Sequence, residues 1–130
     1  MFVARFQEIA RATGWRSPVT PYRALQAWAE FVDDCRDGYA ATLFEYMDDL
    51  SVRRFLQAVV NDPVIRRCPE ATWFGAELAR TDARFRELLA DGLDVPGGGG
   101  PWWERAIPGR GGEEMAATAR ELLGLEADVV

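Results

Sequence analysis

The chain has 130 residues, 48% of them hydrophobic and 12% aromatic, which excludes global disorder and lets one domain bury a core without metal or disulfide support. Fifteen basic residues against 21 acidic ones give a net charge of −6. Mean hydropathy is −0.18, and no apolar run approaches the roughly 18 residues a bilayer crossing needs.

The first amphipathic stripe is Phe2, Phe6, Ile9 and Thr13, at helical spacing, with Gly14 placed to end it. Thr20-Pro21 is a strong helix start, because threonine caps and proline fits the first turn. Leu25, Trp28, Phe31, Val32 and Cys35 then define an apolar face. The periodicity resumes with Tyr39, Leu43, Tyr46, Met47 and Leu50, so the reading preferred is one long helix with a weak point at Gly38. Asp48, Asp49 or Ser51 is expected to cap the next helix, carrying Val52, Phe55, Leu56 and Val59. Asn61-Asp62-Pro63 and Cys68-Pro69 are breaks. Phe74, Leu78, Thr81, Phe85 and Leu88 form the clearest helical face, with Glu77, Arg80, Arg84 and Glu87 turned to water. Gly92 closes this helix.

A flexible loop is expected at about 94–101, where Pro96 and Gly97 to Gly100 admit no regular element. Pro101-Trp102-Trp103 follows, and a last helix runs from about Glu113 to Leu123, capped by Gly124, leaving Asp128-Val129-Val130 as a tail. The expected architecture is all-α: a single domain, residues 1–130, of five or six helices with a Gly-rich loop before the last.

The residue types present limit the chemistry. All fifteen bases are arginine. Without His or Lys the chain cannot supply Ser-His-Asp or Cys-His catalysis, a His-containing zinc site, a lysine Schiff base or a Walker A lysine. Cys35 and Cys68 form no CxxC and read as buried free thiols. Met1-Phe2-Val3-Ala4-Arg5-Phe6 lacks the basic-then-apolar layout of a signal peptide, so a cytoplasmic protein is expected.

Charge is uneven. Residues 31–50 hold six acids and one arginine, a local balance of −5. Clustered cations of the kind that neutralise phosphates are missing, which argues against nucleic acid and for a basic protein partner. Within this block Asp33, Asp34 and Asp37 spell DDxxD. This is similar to the motif that chelates magnesium in terpene and prenyl-diphosphate synthases, where acids on one helical face grip a hard cation. The resemblance covers five residues, those folds need far more helix, and no second acidic motif follows at the right spacing. A solvated acidic face is the reading adopted, with no metal or cofactor expected. If the helix ran through Gly38, Asp34, Asp37, Glu45 and Asp48 would share one side over roughly 20 Å.

Trp102 and Trp103, beside the Gly tetrad, suit either core anchors or a binding lid. Tyr39 and Tyr46 read as rings at the core rim with their hydroxyls bonded, rather than as an acid–base set with Glu45. Arg53-Arg54 and Arg66-Arg67 sit near acids and are expected in salt bridges. The function these features favour is a non-enzymatic helical interaction protein, inhibitor- or immunity-like. It would present Asp33, Asp34, Asp37, Glu45, Asp48, Trp102 and Trp103 to a basic partner, with no catalytic residue assigned. The alternative is a small-molecule-binding protein or accessory enzyme with an aromatic pocket under the 96–103 loop. The Phe2–Ile9 or Phe74–Phe85 face would also serve a homodimer.

Overall fold

A computed structural model describes residues 1–15 and 17–130. Its described residues form six helices and four two-residue strands: α1 (Phe2–Ala12), α2 (Pro21–Asp37), α3 (Leu43–Asn61), α4 (Pro63–Arg66), α5 (Glu70–Ala90), β1 (Leu93–Asp94), β2 (Ala106–Ile107), β3 (Arg110–Gly111), α6 (Glu113–Leu123) and β4 (Asp128–Val129). A 3-10 turn at Trp102–Glu104 lies between β1 and β2. The fold is the expected helical bundle. Among the described residues no helix is long and apolar enough to cross a membrane.

Local signals account for most boundaries. The Arg23 amide donates to the Thr20 hydroxyl at 3.0 Å, with Pro21 in the first turn of α2. The Val64 and Ile65 amides donate to Asp62, which starts α4 after α3 has ended. Gly124, at φ +69°, closes α6 in the left-handed region that a side chain disfavours.

The long helix through Gly38 does not form. Gly38 adopts φ +99°, and a Cβ there would overlap the Val130 side chain. The chain turns out of α2, Tyr39 bridges to Gly111, and the Gly112 amide donates to the Tyr39 carbonyl at 2.9 Å. The helix restarts at Thr42, whose hydroxyl accepts from the Glu45 amide and donates to the Glu45 carboxylate. This Thr-x-x-Glu capping box is legible in the sequence, and it outweighs an apolar periodicity that continues across a turn. The break expected near Asp48–Ser51 is also absent, because α3 runs unbroken to Asn61.

The expected tail is a strand. β4 lies parallel to β3 (Arg110↔Asp128, Gly111↔Val129), so the chain's end, β3 and Tyr39 form one small patch of sheet over the α2–α3 turn. β1 and β2 pair antiparallel at the base of the Gly-rich loop.

The core is a chain of aromatic contacts. Phe6 meets Phe55 at 5.2 Å and Phe74 at 6.0 Å, and Phe31 meets Tyr46 at 5.3 Å and Phe85 at 5.8 Å. Phe74, Leu78, Thr81 and Phe85 are buried on α5, as their spacing requires, with Leu88 half-buried. Both cysteines are buried and free of disulfide bonds, and the Cys68 thiol donates to the Val64 carbonyl at 3.3 Å. Among the described residues Arg66 and Arg67 have no salt-bridge partner; their Nε groups donate to the Val60 and Pro63 carbonyls.

An ion pair lies within this core. Arg53, 3% exposed, takes a place on the α3 stripe of Leu43, Tyr46 and Leu50. It pairs bidentately with Asp82 of α5, with Nε and Nη2 each at 2.9 Å. The Trp28 indole donates to the same carboxylate at 3.1 Å, and the Arg53 guanidinium lies 4.4 Å from the Trp103 ring centre. Removing one member of a buried pair leaves an uncompensated charge. Asp82→Ala is therefore expected to lower unfolding free energy in urea by about 3–5 kcal/mol. Arg53→Met combined with Asp82→Leu should recover most of that loss.

Asp62 ties α1 to the α3–α4 corner. Arg5 donates to it at 3.0 Å and 2.6 Å. The Arg5 hydrogen bonds, helped by the Val64 and Ile65 amides, hold its carboxyl down at about 2. A carboxyl with a lowered folded-state pKa stabilises above its unfolded value and loses that contribution as pH falls. Asp62→Asn should lower Tm at pH 7, and the gap to wild type should close as pH falls from about 4 to about 2.

Candidate functional site

The end of α2 at Gly38 redistributes the acidic block. Asp34 points from α2 into a groove of about 750 Å³ that α3 closes on its other side. Glu30 lies one turn before it, and Asp48 and Asp49 face it from α3. Phe31, Phe55, Val52 and Trp15 supply apolar lining. The groove therefore has carboxylates on both walls and aromatic rings between them.

The remaining expected site residues lie elsewhere. Asp33 is bound by Arg84 of α5 and lies 3.7 Å from Arg36. Asp37 accepts from Arg36 at 3.3 Å. Glu45 serves the cap of α3. DDxxD is thus split between an arginine pair, the groove and the helix end. Among the described residues no three acids or thiols are grouped to hold a metal ion. The structure brings together Asp34 and Asp48 from the expected set, and adds Glu30 and Asp49, which the sequence argument did not assign. The missing signal was the turn itself: with α2 and α3 side by side, residues 14 apart face each other across a groove instead of stacking along one helix.

Trp102 and Trp103 belong to the core side of their turn. Trp103 is 5% exposed, and the two rings meet edge-on at 5.7 Å. Trp102 is half-buried, with the Arg86 guanidinium 3.8 Å from its centre and Phe85 at 6.1 Å.

Electrostatics single out Asp34. Partial burial and the neighbouring carboxylates of Asp33, Asp49, Glu30 and Asp37 raise its pKa above the ordinary aspartate value. Among the described residues Asp34, Asp48 and Asp49 have no arginine within ion-pair distance, while Glu30 meets exposed Arg23 at 3.3 Å. Arg54 lines the groove but is turned to Glu104, at 2.7 Å. Burial, followed by the hydrogen bond its hydroxyl donates to Asp49 at 2.5 Å, pushes the Tyr39 phenol up, away from ionisation at neutral pH. Burial also raises the Cys35 thiol, with Asp34 and Asp49 adding to the shift. The Tyr46 hydroxyl is buried without a hydrogen-bond partner among the described residues. The groove thus carries an excess of carboxylates beside hydroxyl and thiol groups that stay protonated at neutral pH.

A scan of protein-family models, a search of curated proteins and a search of solved structures each found no match. The reading of the groove therefore rests on its geometry and charge.

The raised Asp34 carboxyl has a stability consequence. A carboxyl that binds its proton more tightly when folded penalises the folded state once pH rises through its unfolded and then its folded pKa. Asp34→Asn should raise Tm at pH 7, and the two proteins should melt alike below the ordinary carboxylate range.

Proposed function

We propose that this chain is a non-enzymatic interaction protein that receives a cationic, arginine- or lysine-bearing segment of a protein partner in the α2–α3 groove. The observation that carries the reading is Asp34. It lies among carboxylates that disfavour its charge, in an open groove where, among the described residues, the arginine of the lining, Arg54, is bound to Glu104. A partner's cation would relieve that repulsion, while Phe31 and Phe55 would pack against its aliphatic stem. Opposed acidic walls suit an extended basic segment better than a lone ion, since Asp34 and Asp48 come from different helices. Neutralising a basic surface of another protein is what an inhibitor or immunity-type partner does, and the net charge of −6 would steer such an encounter.

The test is fluorescence anisotropy with a labelled arginine-rich peptide at two salt concentrations. Asp34→Asn with Asp48→Asn is expected to weaken binding by about tenfold or more, which corresponds to about 1.4 kcal/mol. Glu126→Gln with Asp128→Asn, equal in charge change but outside the groove, should leave it nearly unchanged. Equal losses in the two double variants would mean attraction to net charge alone and would refute the groove as the binding site.

A further inference from the structure

On the opposite side of Ser51 and Arg54 from the acidic groove is a second cavity, of about 290 Å³. Its walls are Leu50 of α3, Val95 and Ile107 beside the β1–β2 pairing, Trp103, and Leu123 at the end of α6. Leu50, Trp103 and Ile107 are themselves buried, so the walls are held by the core. Met47, 60% exposed, stands on its open side. The charged groups in the lining are Arg54 and Glu104, and these bind each other at 2.7 Å.

We infer that this cavity is a binding site for an uncharged, hydrophobic molecule of about two fused rings, with at most one hydrogen-bonding group. The size follows from volume: a dry apolar cavity of about 150 Å³ accommodates one benzene. The absence of ligand charge follows from the lining. The paired Arg54 and Glu104 leave no net charge for an ion, and an ion entering between apolar walls would lose hydration without a counter-charge. The ligand's one polar group has an acceptor available in Ser51, whose hydroxyl proton is given to the Asp48 carbonyl at 2.5 Å. This site does not depend on the acidic groove being a partner surface.

The test uses 1-naphthol, which is neutral at pH 7, with its sulfonate and aminomethyl analogues as charged counterparts. Titration calorimetry on the full chain is expected to show one site, with Kd on the order of 0.1 mM or tighter. The charged analogues should displace bound naphthol at least about tenfold less well. Leu123→Trp should fill the cavity and weaken binding by about tenfold with unchanged helical circular dichroism. Met47→Trp, at an exposed position, carries the same expectation if Leu123→Trp does not fold. Phe44→Ser, exposed and outside the lining, should bind like wild type. Absence of saturable binding, equal displacement by the charged analogues, or unaltered binding in the folded blocked variants would overturn the inference. So would a dimer in sedimentation that Met47→Trp dissociates, because the cavity would then be filled by a second copy.

Discussion

The buried Arg53–Asp82 pair is the constraint on which the rest of the structure turns. Taking a guanidinium and a carboxylate out of water is costly, and good mutual geometry is what offsets that cost. Here the bidentate contact joins α3 to α5, the Trp28 indole adds α2 on the same carboxylate, and the face of Trp103 covers the cation. Three helices and the 3-10 turn are thereby fixed to one ion pair. One donor, Arg53 Nη1, has no hydrogen-bond partner among the described residues. The structure depends on it for alignment, while the aromatic contacts around it supply most of the burial.

That alignment explains the two concave surfaces. With α3 set against α2 and α5 by Arg53, its outer face divides at Ser51 and Arg54, which line both cavities. To one side the α2 acids meet those of α3 over an aromatic floor. To the other, the Trp103 turn and the β1–β2 pairing wall off an apolar space. Arg54 and Glu104 hold the boundary, joining α3 to the turn. Neighbouring positions on one helix therefore serve opposite chemistries, because the elements packed on each side differ in charge.

The α2–α3 turn is the second constraint. Gly38 is required there twice over, by its positive φ and by the approach of Val130. The sheet patch built from Tyr39, β3 and β4 lies over this turn, so β4 sits beside the corner that joins the two walls of the groove. This placement is not visible in any local pattern.

Much of the architecture was legible in the sequence: the helical class, the start at Thr20-Pro21, the break at Asn61-Asp62-Pro63, the apolar face of α5, and the last helix from Glu113 to Leu123. These features rest on short-range rules of capping and periodicity that act within one or two turns. The groove was legible in composition alone, as an acidic block whose members could not be assigned. Periodicity continues in register across a turn as readily as through a helix, so Asp34, Asp37, Glu45 and Asp48 looked collinear. The role of Arg53 was present as an anomaly, a cation on an apolar stripe, but its partner lies 29 residues away on another helix. By itself the sequence determined that helices form, where most of them begin, and that carboxylates are in surplus. Only tertiary packing decided which of those carboxylates confront one another and where the arginines find their partners, because both depend on contacts between segments distant along the chain.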